Sequence, residues 1–345
     1  MNFLRILRPI SVTSRLISRN YNASNLIIPS GSNVIYKEYV NDFEEGVNVS
    51  PPQKVNTQTQ THSRTYNGFI QAAILDWSGT TLDKYVIAPA VVFVEVFKKF
   101  EVPITMEEAR VPMGLRKDLH IKALIETPEI AQRWKTQYGR NATQSDVNAM
   151  FKEFVPLQLQ CLHKYSTLLP NVAKTIDILR NDYDVKIGVT TGFTRVMVDL
   201  LLKDAEKQGF VPDCNVAGDE VLNGARPKPF MLYKNLDLLD VYPIRSVVKV
   251  DDTVSGIGEG QNAGCWTVGI ARYSNYMNID SFEHEASLSE EEIEERLIHS
   301  RKTLADAGAD YVIDTLEQLP YVINGINTTL RTRYPSYPNL NPSED

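Results

Sequence analysis

The chain has 345 residues and a formal net charge of −7, from 36 lysines and arginines against 43 aspartates and glutamates. Apolar residues make up 43% of it, enough for a large buried core, and the length favours two domains and excludes a disordered or fibrous protein. The acidic balance argues against a nucleic-acid partner, and no apolar run approaches the roughly 20 residues that span a bilayer, so no membrane partner is predicted.

The chain begins with a basic segment. Residues 1–37 contain five cationic side chains and no acid, which leaves −12 on residues 38–345. Arginine and serine among apolar residues are typical of a mitochondrial transit peptide, and Arg19-Asn20-Tyr21 resembles its processing site. We predict a transit peptide and linker over 1–66 and a protein of the mitochondrial matrix. The alternative is a disordered basic tail.

From Phe69 onwards, strands and helices are predicted to alternate. Five apolar runs indicate strands: FIQAAILDW, DVKIGVTTGFT, SVVKVDDT, GCWTVGIAR and ADYVIDT. Helices are predicted between them, including one over 195–207 and one that begins at a capping box at Ser289 and ends at Gly308. This alternation predicts an α/β fold with a doubly wound, parallel, Rossmann-like sheet.

A mainly helical stretch interrupts the alternation. Residues 87–167 contain a helical apolar spacing over 90–100 and no good strand. We therefore predict an inserted helical cap domain over 87–167 and a Rossmann-like core over 67–86 and 168–333. The tail, 334–345, is predicted to be flexible.

Polar side chains end three of the predicted strands. They are Asp76 at the end of the first strand, Thr190 and Thr191 at the end of the second, and Asp251 and Asp252 at the end of the third, with Arg226 in the intervening loop GARPKPF. The carboxyl ends of parallel strands meet at one edge of the sheet, where ligands bind. Carboxylates suit Mg²⁺, whereas hydroxyls and a guanidinium suit phosphoryl oxygens. The pattern predicts a Mg²⁺ and phosphoryl site in which one carboxylate could also act as a nucleophile.

Four segments carry a family resemblance. In chain order, ILDWSGTT, VTTGFT, GARPKP and VVKVDDT resemble the four motifs of the haloacid dehalogenase superfamily. Within it, DWSGTTLD, ITMEEARVPMGLRKDLH and KVDDTVSGIGEGQNAGCWTVG resemble the phosphonatases, from about Ile70 to about Leu319. The resemblance implies hydrolysis of the carbon–phosphorus bond of phosphonoacetaldehyde, a small-molecule phosphonate substrate.

The loop after the first predicted strand helps to distinguish a phosphatase from a phosphonatase. Phosphatases of the superfamily carry a second aspartate two residues after the nucleophile, to protonate the leaving oxygen, but position 78 here is serine. A phosphate-ester hydrolase would thereby lose a general acid, a group that contributes about 10²–10⁴-fold. Cleavage of a carbon–phosphorus bond instead needs an electron sink, which a lysine amine supplies by forming an imine with an aldehyde. Lys117 is the candidate, and His120, on the same helix face, is predicted to move protons for it.

The resemblance also implies roles position by position. Asp76 would attack phosphorus, and Mg²⁺ would be held by Asp76, the main-chain carbonyl of Ser78, and Asp252. The phosphoryl oxygens would be bound by Thr191, Gly192 and Arg226, under a closing cap loop that contains Met113 and Gly114. A homodimer through the cap is implied as well, and Phe93, Val94 and Phe97 offer an apolar face for it.

Two positions depart from the phosphonatase pattern. Alanine is expected where this chain has Ser78, a mild change because the metal contact there is main-chain. The pattern Gly-Asp-Thr-Val-Ser-Asp is here DDTVSG, from Asp251 to Gly256. Gly256 removes a carboxylate that would orient Arg226, and Asp251 adds one that either compensates or displaces the metal.

Three functions stay open at this point. They are a carbon–phosphorus hydrolase acting through a lysine imine, a Mg²⁺-dependent phosphatase or phosphomutase of the same fold, and a catalytically impaired relative. A dinucleotide site at the glycine-rich stretch 258–263 is rejected, because the acids at the preceding strand end would repel a pyrophosphate.

Overall fold

The structure, a computed structural model, describes residues 68–333. The predicted transit peptide and linker over 1–66 and the predicted tail over 334–345 lie outside the described residues. Six strands form one sheet: β1 (Ala72–Leu75), β2 (Lys186–Thr191), β3 (Cys214–Ala217), β4 (Val247–Asp251), β5 (Trp266–Ile270) and β6 (Tyr311–Ile313).

Helices surround this sheet. Those before β2 are α1 (Ile87–Lys99), α2 (Met106–Arg110), α3 (Lys117–Glu126), α4 (Pro128–Tyr138), α5 (Gln144–Leu162) and α6 (Val172–Tyr183). Those after it are α7 (Arg195–Glu206), α8 (Phe230–Leu239), α9 (Val254–Ala263), α10 (Phe282–Ser287), α11 (Glu290–Asp306) and α12 (Leu319–Arg333). Within residues 68–333, no helix combines the length and the apolar character needed to cross a membrane.

The sheet order confirms the predicted fold class. The strands run in the order β3-β2-β1-β4-β5-β6, and every neighbouring pair is parallel. This is the doubly wound Rossmann order, whose strand order reverses beside β1. In register, Ile74 of β1 pairs with Gly188 of β2 and with Lys249 of β4. The carboxyl ends of β1, β2 and β4 therefore meet at the switch point, where ligands bind in such sheets.

One strand was missed by the sequence analysis. β3 has only four residues, Cys214–Ala217, and lies at the edge of the sheet, where a strand needs less apolar sequence. The predicted helix over 195–207 is α7, and the capping box at Ser289 opens α11 as expected. The glycine-rich stretch 258–263 lies inside α9 and not at a strand-to-helix turn, which a dinucleotide site would require.

The segment between β1 and β2 is helical, as predicted. Its helices α1 to α5 share one buried apolar cluster with the sheet. Phe93 and Phe97 belong to this cluster and are fully buried within the chain, and Val94 packs against it. Phe93 and Phe97 are therefore not available as a face for a dimer, because their helical spacing reflects packing inside the protein. Val94 is half-buried, and the homodimer itself stays a prediction.

Candidate active site

Three carboxylates converge at the switch point. Oxygen atoms of Asp76, Asp251 and Asp252 all lie within 4.8 Å of one another, and the three side chains are buried. Asp76 follows β1, and the other two end and follow β4, the strand beside it. The tertiary structure thus brings together acids that the sequence placed at separate strand ends.

Burial and mutual repulsion raise the pKa values of two of these acids, Asp252 and Asp76. Burial, followed by the charges of Asp251 and Asp76, raises the pKa of Asp252 well above its usual value. Burial also raises the pKa of Asp76, although the nearby Arg226 opposes the shift. These carboxyls are held close together with too little positive charge around them, as in a site that a cation completes.

Arg226 connects the acids to the neighbouring strand. Its guanidinium donates from Nη1 to Asp76 Oδ2 (2.9 Å) and from Nε to Glu259 Oε2 (3.0 Å). Nη2 donates to the Thr190 carbonyl (2.7 Å) and lies 3.2 Å from Asp251 Oδ2. Burial alone would lower the pKa of Arg226, but the charges of Asp251, Asp76 and Glu259 outweigh it and raise this pKa well above the usual value. Arg226 is therefore a permanent cation at the base of the site.

Lys249 and Glu259 belong to this cluster but were missed by the sequence analysis. The Lys249 amine donates to Thr190 Oγ1 (2.8 Å) and lies 3.0 Å from Asp251 Oδ2, and both Lys249 and Glu259 are fully buried. A signal was available for one of them. A central strand of a parallel sheet is covered on both faces, so a lysine within VVKVD indicates a buried, paired cation. Glu259 lies on the buried face of α9, and only the fold reveals its role.

The cleft above these charges is small. Its enclosed volume is about 20 Å³, little more than one water molecule needs. The wall contains every residue predicted for substrate binding, together with Asp76, Ser78 and Lys117: Met113, Gly114, Thr191, Gly192 and Arg226. Core and cap residues therefore share one cleft. Asp252 does not line it but adjoins it, and its Oδ2 accepts a hydrogen bond from the Asn275 amide (3.0 Å).

Lys117 is the cap's cation in this cleft. It begins α3 and is buried, with its amine 4.6 Å from the centre of the Phe193 ring. Burial is the largest cause that lowers the pKa of Lys117 to about 8, with Arg226 acting the same way and Asp76 opposing it. Lys122, on the same helix, is exposed. Of these two lysines, only Lys117 combines access to the cleft with an amine that is readily deprotonated.

His120 lies one turn further along α3. Its Nε2 lies 2.9 Å from the carbonyl oxygen of Ala109, and its ring stacks on Phe93 with 3.8 Å between ring centres. Burial, and then the charge of Lys117, hold the pKa of His120 well below its usual value. The histidine is thus a neutral group packed behind the lysine, and its buried Nδ1 has no hydrogen-bond partner within residues 68–333. It does not line the cleft itself.

Cap and core approach each other closely at two glycines. A Cβ at Gly114, whose φ is +90°, would lie 2.1 Å from Ser255 Oγ and 2.5 Å from Thr253 Oγ1. A Cβ at Gly192 would lie 2.4 Å from the carbonyl oxygen of Leu115. In addition, Ser255 Oγ donates to the carbonyl of Met113 (3.2 Å). The predicted cap loop therefore closes the cleft by direct contact that leaves no room for side chains.

We expect Gly114→Ala to disturb closure of the cap over the cleft while the protein still folds. The added methyl group would displace the cap loop from Ser255, and misplacement by about 1 Å can reduce turnover on the order of 10²-fold. We expect kcat/KM to fall by roughly that factor. Gly139→Ala is the matched control, because Gly139 also has a positive φ (+67°) but its Cβ would meet nothing within 4 Å. Equal losses of activity in the two variants would contradict the importance of this contact.

The entry into the cap is held in an unusual conformation. Asp83, Tyr85 and Val86 all have positive φ angles, between 53° and 64°. Such angles are strained for residues other than glycine, above all for a β-branched valine. Arg110 of α2 donates from Nη1 to the Tyr85 carbonyl (2.6 Å), and the Tyr85 amide donates to the Tyr273 carbonyl (2.8 Å). A buried arginine of the cap thus fixes the connection between cap and core.

The donor set suits a divalent cation. Among residues 68–333, the three buried carboxylates Asp76, Asp251 and Asp252 have oxygen atoms close enough together to hold one ion. A Cβ at Gly79 would lie 2.3 Å from Asp252 Oδ2, so the loop after β1 also packs closely against this carboxylate. Hard oxygen donors of this kind bind Mg²⁺ or Ca²⁺ in proteins.

The chain is similar to known proteins over most of its length. The family model of the haloacid dehalogenase-like hydrolases matches residues 73–270. Phosphonoacetaldehyde hydrolase of Bacillus cytotoxicus is 43% identical over 257 residues, which cover 74% of this chain and 96% of the relative. A bifunctional phosphonoacetaldehyde hydrolase/aminoethylphosphonate transaminase of Clostridioides difficile is 39% identical over 79% of this chain and 42% of its own length.

Solved structures agree with this assignment. A phosphonoacetaldehyde hydrolase-like protein from Oleispira antarctica superposes with a TM-score of 0.73 at 35% identity, over 76% of this chain and 94% of that one. A hydrolase from Pseudomonas syringae, with a TM-score of 0.53 at 16% identity over 74% of this chain and 98% of that one, shares the fold. The chain therefore belongs to the haloacid dehalogenase-like hydrolases and, within them, to the phosphonoacetaldehyde hydrolase family.

Proposed function

We propose that this chain hydrolyses the carbon–phosphorus bond of phosphonoacetaldehyde to acetaldehyde and phosphate. The observation that carries the proposal is the Lys117 amine, which shares one small cleft with Asp76 and has its pKa lowered to about 8 by burial. A neutral amine adds to an aldehyde, whereas an ammonium group does not. A phosphate-ester substrate has no aldehyde with which such an amine could condense.

The reaction begins on the cap side of the cleft. The Lys117 amine adds to the aldehyde carbon and expels water, which gives a protonated imine. Asp76 then forms a bond to phosphorus through one carboxylate oxygen, and the carbon–phosphorus bond breaks. Its electron pair passes to carbon and on to the imine nitrogen, so that an enamine and an aspartyl-phosphate result. Arg226 neutralises charge on the phosphoryl oxygens in this step.

Two hydrolyses complete the cycle. Protonation of the enamine at carbon regenerates an imine, and water releases acetaldehyde and the free Lys117 amine from it. A second water attacks the aspartyl-phosphate and releases phosphate from Asp76. The proposed role of His120 in moving protons for Lys117 would operate through a neutral imidazole, since its pKa is held low. The packing of His120 against Phe93 also fixes the helix face that bears the lysine.

We propose Mg²⁺ as the cation of the acidic site. Asp76, Asp252 and the main-chain carbonyl of Ser78 would hold it, and when bound it supplies positive charge for the phosphoryl oxygens. Asp251 is a weaker candidate as a ligand, because both of its oxygens face partners within the protein. Oδ1 accepts from Thr253 Oγ1 (2.7 Å), and Oδ2 lies between Lys249 and Arg226.

Asparagine at position 252 should weaken Mg²⁺ binding. The change removes one anionic ligand, and even indirect changes at metal sites reduce affinity by about 10–100-fold, so we expect at least a tenfold loss. Calorimetric titration with Mg²⁺ measures it without reference to activity. Asp177→Asn, an exposed position on α6, is the matched control. Unchanged Mg²⁺ affinity in Asp252→Asn would place the cation elsewhere.

A phosphatase or phosphomutase of the same fold is the second candidate. Against it stands Ser78, which lines the cleft where a carboxylic acid would protonate a leaving oxygen. The decisive assay measures acetaldehyde and phosphate from phosphonoacetaldehyde, beside phosphate from p-nitrophenyl phosphate. Equal amounts of acetaldehyde and phosphate support carbon–phosphorus cleavage. Phosphate release from the ester alone would overturn the proposal.

The rate of imine formation should depend on pH through Lys117. With a pKa of about 8, about a tenth of the amine is neutral at pH 7 and about nine tenths at pH 9. We expect the rate of imine formation to rise with pH and to level off above about 8. The appearance of imine absorbance in Asp76→Asn, which should stop at this stage, isolates the step. Because this variant lacks the Asp76 charge that raises the pKa of Lys117, the rise should be centred at or below pH 8. A rise centred near the ordinary lysine value would contradict the influence of burial.

Two proposals concern the protein beyond its active site. We propose that the basic N-terminal segment directs the protein to the mitochondrial matrix, which imaging of residues 1–66 fused to a fluorescent reporter would test.

We also propose a homodimer through the cap, as the family resemblance implies. Its contacts would have to differ from Phe93 and Phe97, and light scattering would measure the mass in solution.

A further inference from the structure

Gly256 has no backbone reason to be glycine. It lies in the first turn of α9, where the φ angle is one that any residue adopts. Glycine is unfavourable within a helix, so a glycine here calls for an explanation. The explanation is spatial: a Cβ at position 256 would lie 1.9 Å from the Asp251 carboxyl carbon and 2.0 and 2.1 Å from its two oxygens.

The Asp251 carboxylate occupies that space because of its partners. Oδ1 accepts hydrogen bonds from the amide (3.0 Å) and the hydroxyl (2.7 Å) of Thr253, the residue that caps α9. Oδ2 lies 3.0 Å from the Lys249 amine and 3.2 Å from Arg226 Nη2, as ion pairs between fully buried groups. Asp251 thus lies between two buried cations and directly over the start of the helix.

We propose that Asp251 is a positioning residue for Arg226, and that the side chains of positions 251 and 256 are alternatives for one volume. A carboxylate can enter this volume from the strand, as in this chain, or from the helix, but not from both. Asp251 and Gly256, the two departures in the segment DDTVSG, are then a single change. The change moves the carboxylate that balances Arg226 from the helix to the strand and keeps its charge. This inference rests on the proposed function only in assigning the phosphoryl group to Arg226.

The charges show what Asp251 does for Arg226. Without Asp251, the Lys249 amine would keep Thr190 and the more distant Glu259 (3.5 Å), and Arg226 would lose one of its three carboxylate partners. The two cations would then face each other without the carboxylate that lies between them. Repulsion between buried like charges is strong, so Arg226 would turn from the position in which it meets a phosphoryl group.

The first arm of the test is steric and uses thermal unfolding. Gly256→Ala should lower Tm in the natural background, because its methyl group would overlap the Asp251 carboxylate. In the Asp251→Gly background the same substitution should leave Tm unchanged or raise it, since the space is empty and alanine favours the helix. Equal shifts of Tm in both backgrounds would overturn the exclusion of one side chain by the other.

The second arm measures binding of inorganic phosphate by calorimetry at saturating Mg²⁺. Asp251→Gly should weaken binding by about tenfold or more, as expected when a binding group is misplaced. Asp251→Gly/Gly256→Asp should recover most of this affinity, whereas the matched variant Asp251→Gly/Gly256→Ala, which refills the space without charge, should not. Equal affinities in the two double variants would overturn the positioning role.

These measurements separate this inference from the proposed function. Phosphate binding needs no carbon–phosphorus cleavage, so the variants report on Arg226 whether or not phosphonoacetaldehyde is the substrate. If the natural protein released no acetaldehyde while the phosphate affinities followed the expected pattern, the proposed function alone would fail. If it released acetaldehyde while Asp251→Gly bound phosphate normally, the positioning role alone would fail.

Discussion

Replacing Lys117 with alanine is expected to abolish acetaldehyde release, with a loss on the order of 10⁴–10⁶-fold, as for other groups that form covalent intermediates. The physical reason is that no other group lining the cleft can accept the electron pair of the breaking carbon–phosphorus bond. Among the side chains of residues 68–333 that line the cleft, Lys117 contributes the sole primary amine. The measurement is the rate of acetaldehyde formation, together with borohydride trapping of the imine.

The control for this variant lies on the same helix. Lys122→Ala removes an identical amine from an exposed position of α3 and should leave the rate unchanged. Mass spectrometry after borohydride treatment should locate the reduced adduct on Lys117 in the natural protein. An adduct on another lysine, or substantial acetaldehyde release by Lys117→Ala, would show that the imine mechanism is wrong.

The Asp76→Asn variant is expected to lose acetaldehyde release by a similar factor, but the reaction should stop at a later step. The amide is a poor nucleophile, so the bond to phosphorus cannot form, whereas the Lys117 amine can still add to the aldehyde. Borohydride should therefore trap a lysine that keeps the phosphono group in Asp76→Asn. In the natural protein, part of the trapped lysine should carry an ethyl group, because cleavage precedes reduction.

The Asp76→Asn variant also changes the surroundings of Arg226. Asp76 also accepts a hydrogen bond from Arg226 Nη1, so Asp76→Asn changes the charge around that guanidinium as well as removing the nucleophile. Phosphate affinity should be measured beside the rate, with the exposed Asp237→Asn on α8 as control. Normal turnover by Asp76→Asn would exclude an aspartyl-phosphate on this residue.

Much of the site could be predicted because its residues belong to short local patterns. Asp76 and Asp252 follow buried strands, and Arg226 lies in the loop that precedes α8. In a parallel sheet the carboxyl ends of neighbouring strands must meet, so sequence position alone indicates proximity. The fold class followed from the same alternation, while the four-residue edge strand β3 was too short to produce a pattern.

Errors arose where a pattern has two physical causes. An apolar helix face, such as that of Phe93 and Phe97, looks the same whether it packs against its own chain or against a partner. The structure shows that it packs within the chain. The glycine-rich stretch 258–263 was not such an error: its letters fit a dinucleotide motif, but that interpretation was rejected from the sequence, and the stretch lies inside α9 without the backbone turn that the motif needs.

The sequence by itself determined the fold class, five of the six described strands and the chemical groups at the ends of three of them. Only the tertiary structure decided how those groups behave. The pKa of Lys117 depends on burial by residues distant in the sequence, and the pairing of Arg226 depends on Lys249 and Glu259 on two different elements. A Cβ at position 256, at the start of a helix, would lie about 2 Å from the carboxylate of Asp251, at the end of a strand. Desolvation, ion pairing and steric exclusion act between atoms that meet only after folding, so they leave no pattern in the order of the residues.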